Sequence, residues 1–187
     1  MKKIYFLSSN KEKIKEVKLH LKKFGIDVIG KRVEITENEF KTQEQIAKEK
    51  AVQASKLVKK SVIVEDTGLY LLAYKHFPGI HAKFVFNGIG LKGILKLLKG
   101  KDRKAYFKTI VSYCKPGENP IIFTGVCKGK ISENIREPVT PKVPYDSIFI
   151  ANGEKRTFSQ MTKEEKARYS HRAKAVERFA RWFNKKS

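Results

Sequence analysis

Cysteine is scarce in this chain, and long hydrophobic runs are missing. The 187 residues include two cysteines, Cys114 and Cys127, which is too few for a disulfide framework and leaves no cysteine–histidine spacing typical of zinc sites. We expect either buried thiols in a reducing cytosol or one cross-strand disulfide. The apolar run Ile4–Leu7 is too short for a signal peptide, and no window has the length of a membrane span. We therefore expect a cytoplasmic protein with no membrane segment.

Acidic residues are few compared with basic ones. Aspartate and glutamate number 19 against 41 lysines and arginines, so the formal net charge is +22. Such a charge suits an anionic partner: a nucleic acid, an anionic membrane surface or a small anionic substrate. It also suits a solvated lysine-rich surface, which we favour because the lysines are spread along the chain and mixed with glutamates. The apolar fraction of 41% can form a sizeable core, and we expect a single domain over residues 1–187.

The order of hydrophobic patterns in the first third predicts an α/β fold. Short apolar runs at Ile4–Leu7, 26–29 and 62–64 are typical of buried strands. Helical spacing of apolar residues over 14–24 and 46–58 predicts two intervening helices. This β-α-β-α-β order favours a sheet with helices packed on it, with the last of these strands ending at Glu65-Asp66.

The remainder predicts a long β-hairpin and helices. Residues 105–114 and 121–131 are rich in β-branched and aromatic residues, and Pro116–Pro120 form the turn between them. A short helix over 91–98 ends at Gly100, a strand covers 147–150, and Thr162 with Glu165 forms a capping box for the final helix. The sequence Gly88–Gly93 matches G-x-G-x-x-G, but no acidic residue ends a following strand, so we interpret it as a flexible helix entry.

The first loop is a candidate phosphate site. Ser8-Ser9-Asn10 follows a buried strand and opens a helix, whose N-terminal N–H groups favour anions, and Lys11 and Lys13 add positive charge. The loop lacks the glycine-rich cradle of a P-loop. An ordinary capped helix with solvated lysines is the structural alternative.

The acidic pair Glu65-Asp66 is a candidate metal site. Ligand sites of open α/β sheets cluster at strand ends, and carboxylates are ligands that Mg²⁺ prefers. A polar strand terminus is the alternative without a function. Asp66-Thr67-Gly68 also matches the active triplet of aspartic proteases, but that chemistry needs two triplets and the chain has one.

The segment before the last core residues is unusually basic. Lys166 and Ser170 lie four residues apart and would share one helix face if the helix is continuous there, with His171 and Arg172 directly after. Few apolar residues surround them. This composition indicates a surface that holds an anion, and a solvated basic face is the alternative.

Taken in order, these segments resemble the inosine/xanthosine triphosphate pyrophosphatase family, in its archaeal branch, over nearly the whole chain. The matching segments are Ser8-x-Asn10-x-x-Lys13, Glu37, Ile46-Ala47-x-x-Lys50-Ala51, Val64–Leu69, Pro78–Lys83, Phe123-x-Gly125-x-x-x-Gly129-x-Ile131, Tyr145-Asp146-x-Ile148-Phe149, Phe158-x-x-Met161 and Ser170-His171-Arg172. Each is weak alone, but their shared order is specific.

The resemblance implies an elongated mixed β-sheet with flanking helices, two lobes around a nucleotide cleft, and usually a homodimer. It implies Mg²⁺-dependent hydrolysis of ITP, dITP and XTP to the monophosphate and pyrophosphate, which cleanses the nucleotide pool. Glu37, Asp66 and Glu65 would bind the metal, and Asp66 would activate the attacking water with Lys13 as a second catalytic group. The implied substrate-binding residues are Ser8, Asn10, Lys13, Lys50, Thr67, Lys83, Tyr145, Asp146, Lys166, His171 and Arg172.

One departure concerns base binding. Val143-Pro144 stands where the family pattern has an aromatic and a small residue before Tyr145-Asp146. Stacking is worth about 1–3 kcal/mol per base, so its loss corresponds to roughly 5- to 150-fold weaker binding. Tyr145 or His171 would compensate, or base selectivity would be relaxed.

Two further hypotheses remain at the level of sequence. A nucleic-acid-binding protein would use the basic segment 154–187, although stacking aromatics are not interleaved there. A related family that hydrolyses pyrimidine or methylated triphosphates starts similarly, but its later motifs are not matched.

Overall fold

The computed structural model describes residues 2–32 and 42–186. Its strands are β1 Lys2–Leu7, β2 Ile26–Lys31, β3 Val62–Leu71, β4 Pro78–Gly79, β5 Lys104–Cys114, β6 Ile121–Ile131 and β7 Phe149–Ala151. Its α-helices are α1 Lys11–Lys22, α2 Gln43–Val58, α3 Ala82–Leu97, α4 Lys163–Tyr169 and α5 His171–Lys185. Short 3₁₀ helices cover Leu72–Tyr74, Pro144–Ser147 and Phe158–Gln160.

The strands form one mixed sheet in the order β2-β1-β3-β5-β6-β7, with β4 paired to β3. Strand β1 is parallel to β2, from Lys2↔Ile26 to Leu7↔Lys31, and parallel to β3, from Tyr5↔Val62 to Leu7↔Val64. The β3–β4 and β6–β7 pairs are antiparallel. The α/β prediction is therefore confirmed, and both arms of the predicted hairpin are strands.

The chain divides into two compact units, and strands β3, β5 and β6 contribute residues to both. Unit 1 comprises Met1–Asp66, Thr109–Gly125 and His171–Ser187, and unit 2 comprises Thr67–Lys108 and Val126–Ser170. Among the described residues, no helix is long and apolar enough to cross a membrane.

Unit 1 has helices on both faces of its strands. On one face, Phe6, Ile63 and Val111 pack against apolar residues of α1 and α5, such as Val17 and Phe179. On the other face, Leu7, Val62, Val64 and Cys114 pack against Ala51 and Ala54 of α2. The two faces arise because successive strand residues point in opposite directions.

Unit 2 has its own aromatic core. Phe107, Phe149 and Phe158 pack together, with ring centroids 4.7 Å apart for Phe107–Phe149 and 5.1 Å for Phe149–Phe158. Helix α3 adds Leu91 and Ile94 to this core. The helix is interrupted at Gly90, whose φ of 61° is left-handed, so the glycine-rich motif marks the entry into the second helical part, as expected.

Three predictions of element boundaries were wrong. Strand β3 does not end at the acidic pair but continues to Leu71. The predicted strand over 147–150 begins as a 3₁₀ helix, and β7 covers Phe149–Ala151. The final helix is not continuous, because Ser170 has extended ψ of 131° and separates α4 from α5.

The two cysteines are free, buried thiols. Cys114 lies in unit 1, where its Sγ donates to the main-chain oxygens of Lys115 and Glu118, and Cys127 belongs to the core of unit 2. The alternative of a cross-strand disulfide is therefore wrong for this structure.

Candidate active site

Strand β3 separates the two acidic side chains that the sequence places side by side. Ile63 faces helices α1 and α5, whereas Val62 and Val64 face α2. By the same alternation Glu65 belongs to the α1/α5 face and Asp66 to the α2 face. The contacts of the two carboxylates agree with this, and they give the two residues different chemistry.

Glu65 is buried between two cations. Its Oε1 lies 2.7 Å from Lys13 Nζ, and Arg172 donates to both carboxylate oxygens, at 2.6 Å from Nε and 3.1 Å from Nη2. The side chain of Glu65 is 1% exposed. Burial alone would raise the pKa of this carboxyl, but the charges and hydrogen bonds of Arg172 and Lys13 hold its pKa well below the usual range.

Arg172 is itself held by a second carboxylate. Its Nη1 donates to Glu16 Oε2 on helix α1 at 2.5 Å, and the Arg172 side chain is 5% exposed. Although burial lowers its pKa, the carboxylates of Glu65 and Glu16 raise it overall, so the guanidinium stays charged. Sequence reasoning did not identify Glu16, and nothing in its local pattern distinguishes it from other surface glutamates.

Asp66 faces helix α2. Lys50 Nζ lies 3.8 Å from its Oδ1, and Gln43 donates from Nε2 to the main-chain oxygen of Asp66 at 3.2 Å. The Asp66 side chain is 12% exposed, so it can reach a bound molecule. Gln43 was also not identified from the sequence. Its place three residues before Ile46, on the face of α2 that is buried, is a pattern that could have indicated it.

The first loop is ordered as a helix cap. The Asn10 side-chain oxygen accepts from the N–H groups of Glu12 and Lys13 at 3.0 and 3.3 Å, and the N–H of Asn10 donates to Ser8 Oγ at 3.2 Å. Lys13 extends from the first turn of α1 to Glu65. The loop thus caps α1 and brings Ser8, Asn10 and Lys13 close together, while their role as a phosphate site stays a prediction.

His171 and Arg172 begin helix α5 in unit 1, and both are buried. The expected helical face shared by Lys166 and Ser170 does not exist, because Ser170 ends α4. The physical reason is the extended backbone at Ser170, which sends Lys166 and Arg172 to different partners.

Unit 2 contains the other predicted residues. Lys166 Nζ lies 2.5 Å from Asp146 Oδ2 and 5.5 Å from the centroid of the Phe158 ring. Tyr145 donates from its hydroxyl to the main-chain oxygen of Ala82 at 2.8 Å, and burial raises its pKa. Thr67 is half-buried and Lys83 is exposed in the first turn of α3.

Tyr145 is committed to the protein core. Its ring meets Phe86 edge-on, with centroids 6.1 Å apart, and its residue is 6% exposed. The hydroxyl bond and this packing leave no open ring face for a base, so the hypothesis that Tyr145 replaces the stacking aromatic is not supported by its contacts.

The described residues supply only part of the ligand set that a hard cation needs. Among them, no group of three histidine, cysteine, aspartate or glutamate side chains is arranged as a metal site. Asp66 fits a Mg²⁺ site, because Mg²⁺ is usually held by one or two carboxylates together with substrate phosphates and water. Both oxygens of Glu65 already bind cations, so its contacts favour an anchoring role. Glu37 lies outside the described residues.

Strand β3 presents two carboxylates, each close to one lysine, and one of these lysines, Lys13, belongs to the first turn of α1. This combination of carboxylates and cations suits the class of α/β protein that binds a polyphosphate. The chain belongs to the Ham1 family, whose model matches residues 4–182. The family resemblance predicted from the sequence is therefore confirmed, and with it the prediction of an enzyme.

Curated relatives match nearly end to end. The chain is 42% identical over 182 residues to a dITP/XTP pyrophosphatase of Methanopyrus kandleri, covering 97% of this chain and 96% of that protein. It is 45% identical over 179 residues to a dITP/XTP pyrophosphatase of Saccharolobus solfataricus, covering 95% and 92%. Among solved structures, the Staphylococcus aureus Ham1 protein matches with a TM-score of 0.81, 27% identity and full coverage of both chains.

Proposed function

We propose that this protein is a Mg²⁺-dependent pyrophosphatase that hydrolyses ITP, dITP and XTP to the nucleoside monophosphate and pyrophosphate. The observation that carries the proposal is that the two consecutive carboxylates of β3 have different partners. Asp66 faces a lysine on one side of the strand, while Glu65 anchors two cations on the other. The names of the archaeal relatives, dITP/XTP pyrophosphatases, support the substrate class. Such an activity would cleanse the cytoplasmic nucleotide pool.

The proposed reaction is an in-line displacement at the α-phosphorus. The oxygen of a water molecule forms a bond to the α-phosphorus, and the bond from that phosphorus to the α–β bridging oxygen breaks. Asp66 takes a proton from the water, which a carboxylate within hydrogen-bonding reach can do. Pyrophosphate leaves with the bridging oxygen and its electron pair.

Positive charge near the polyphosphate would stabilise the charge that builds on the leaving pyrophosphate. We assign this to Lys13 and Lys50, with Ser8 and Asn10 of the first loop as further phosphate contacts. Mg²⁺, when bound by Asp66 and Glu37, would neutralise phosphate charge. His171 and Arg172, both buried at the start of α5, are proposed to line the substrate site.

For the nucleoside we propose contacts with four residues of unit 2: Thr67, Lys83, Asp146 and Lys166. Tyr145, which is buried in the core, is proposed to support the adjacent Asp146. The Asp146–Lys166 pair supports this, because it offers both a hydrogen-bond acceptor and a donor. Such a pair would distinguish the 6-oxo purines of ITP and XTP from the 6-amino purine of ATP. GTP also carries a 6-oxo purine, so it would have to be rejected through its 2-amino group. The stacking contact is absent at Val143-Pro144, so we expect base selectivity to rest on hydrogen bonds.

The test is pyrophosphate release from ITP, XTP, dITP, ATP and GTP, each with Mg²⁺ and with EDTA. We expect fast release from the three deaminated substrates, little from ATP and GTP, and none with EDTA. Equal release from all five would retain the phosphate chemistry and overturn the base selectivity. No release from any of them would contradict the proposed function.

We also propose a homodimer, as the family resemblance implies. In its support, unit 2 exposes large apolar side chains over residues 72–97, including Phe77 and Phe84, with Phe84 76% exposed. Exposed apolar surface of this kind often marks an interface. A single species with the mass of a monomer in sedimentation velocity would contradict this proposal.

A further inference from the structure

Helix α2 contacts Asp66 at two points. Lys50 approaches the carboxylate and Gln43 binds the main-chain oxygen of the same residue. The two residues lie seven apart, which is about two helical turns and therefore the same face of the helix. The family resemblance implied that Lys50 binds the substrate, whereas nothing assigned a role to Gln43.

Gln43 occupies a position where the helix would otherwise place an apolar residue. The buried face of α2 continues from it through Ile46, Ala47, Ala51 and Ala54. Gln43 is 4% exposed, although a buried amide is costly unless it is hydrogen-bonded. An apolar residue would fill this space without that cost, so the amide indicates a specific use of its hydrogen bond.

The bond falls where strand β3 leaves the support of β1. The β1–β3 pairing runs to Leu7↔Val64, and β1 ends at Leu7. Asp66 lies two residues beyond, and its buried main-chain oxygen needs a hydrogen-bond donor. Gln43 supplies one from α2. The first turn of α2 is itself secured by the capping box of Thr42 and Gln45.

We propose that Gln43 is a positioning residue for the reaction. Its amide fixes the main chain of Asp66 against α2 and so sets the direction of the carboxylate that activates water. This inference rests on the proposed role of Asp66. Lys50 adjusts the charge at the carboxylate, while Gln43 determines where that carboxylate lies.

The first test replaces Gln43 with methionine, which keeps the length of the side chain and removes the donor. Displacing a reacting group by about 1 Å can cost on the order of 10²-fold in rate, so we expect kcat for dITP to fall by roughly 10- to 100-fold. At saturating Mg²⁺, KM should stay within about twofold, because the proposed triphosphate contacts are unchanged. Gln53→Met is the matched control, since Gln53 lies on the same helix and is exposed.

The second variant is Gln43→Glu. A protonated carboxyl can donate to the main-chain oxygen of Asp66, but an ionised carboxylate cannot. Gln43→Glu should therefore lose kcat at alkaline pH, where the introduced carboxyl is ionised, whereas Gln43→Met should be low at every pH. A Gln43→Met kcat within about twofold of wild type overturns the proposal.

A binding measurement separates this inference from the proposed function. Mn²⁺ affinity, measured by electron paramagnetic resonance with inorganic pyrophosphate present, should weaken in Gln43→Met and not in Gln53→Met. If wild type hydrolyses dITP and the Gln43 variants have the same kcat and Mn²⁺ affinity as wild type, only the proposed role of Gln43 is overturned. Wild type without turnover would contradict the proposed function, and the Mn²⁺ affinities would then decide whether Gln43 positions Asp66.

Discussion

At the scale of single residues, the consecutive acids Glu65 and Asp66 differ because they point to opposite faces of β3. One is enclosed by cations and the other remains in reach of a ligand. A sequence pattern of two adjacent carboxylates suggests shared metal binding, but strand alternation opposes it. The residues therefore have to be tested separately.

Asp66→Asn should abolish turnover while the protein stays folded. Asparagine keeps the size of the side chain but cannot accept the proton from water, and general bases typically contribute about 10²–10⁴-fold. Pyrophosphate release from dITP measures the loss, and a thermal unfolding curve close to wild type shows that the fold is intact. Retained activity would refute the role of Asp66.

Glu65→Gln should mainly affect stability. It leaves the buried Arg172 without one carboxylate partner, and breaking a buried ion pair on one side costs about 3–5 kcal/mol. Urea unfolding at pH 7 measures the free energy of unfolding. Glu12→Gln is the control, because its pair with Lys15 lies at the surface and should contribute less than about 1 kcal/mol.

Wild type and Glu65→Gln can also be compared as a function of pH. The pKa of Glu65 is lowered in the folded state, so its stabilisation is present above the unfolded pKa of about 4.3 and is lost as pH falls through the lower folded value. The difference in unfolding free energy between wild type and Glu65→Gln should be constant from neutral pH to about pH 5 and narrow below it. A difference that narrows between pH 8 and pH 6 would contradict this assignment.

At the scale of elements, strand β6 and helix α5 pack with no room for a side chain. A Cβ on Gly125 would lie 2.0 Å from the main-chain oxygen of His171 and 2.6 Å from the N of Ala175. These are backbone atoms, so helix α5 would have to move. Gly125 thus lets the helix that begins with His171 and Arg172 approach the strand.

Gly125→Ala should lower the free energy of unfolding by about 1–3 kcal/mol, the usual cost of overpacking. It should also reduce activity, because the start of α5 would shift. Gly88→Ala is the control: a Cβ there meets nothing within 4 Å, and alanine is favoured over glycine in a helix by about 0.5–1 kcal/mol. Urea unfolding of the two variants should give changes of opposite sign, and equal stability of Gly125→Ala and wild type would disprove the packing argument.

At the scale of the whole molecule, the net charge of +22 acts on any anion that approaches. Clefts and surfaces of one sign raise association rates by about 10–10³-fold, and salt screens this attraction over a Debye length of about 10 Å at 0.1 M. We expect kcat/KM for dITP to fall as ionic strength rises, with kcat nearly constant. Initial rates at a series of KCl concentrations measure both, and a salt-independent kcat/KM would show that the charge does not steer the substrate.

The same charge supports the alternative of nucleic-acid binding, and salt dependence distinguishes the two. Phosphate contacts give a steep fall of affinity with salt, which fluorescence anisotropy of a labelled oligonucleotide measures. Binding that survives moderate salt would favour the alternative. Its loss at moderate salt, with the pyrophosphatase retained, would leave the enzyme as the function.

Sequence patterns determined much of this protein by themselves. The alternating residues of the hairpin, the capping box at Thr162 and the apolar runs of β1 and β3 depend on local periodicity, and that physics is readable in the chain. The ordered motifs also identified the family, whose model matches residues 4–182.

Only the tertiary structure decided how these residues are paired. Glu16 and Arg172 are 156 residues apart in the chain, and no local pattern indicates that they meet. The extension of β3 beyond Glu65 also depends on distant cations, because a buried carboxylate is tolerated in a strand only when partners neutralise it. Packing against distant elements likewise decides three further features: the break at Ser170, the burial of Gln43, and the separate faces of Glu65 and Asp66. These features set the chemistry of the site.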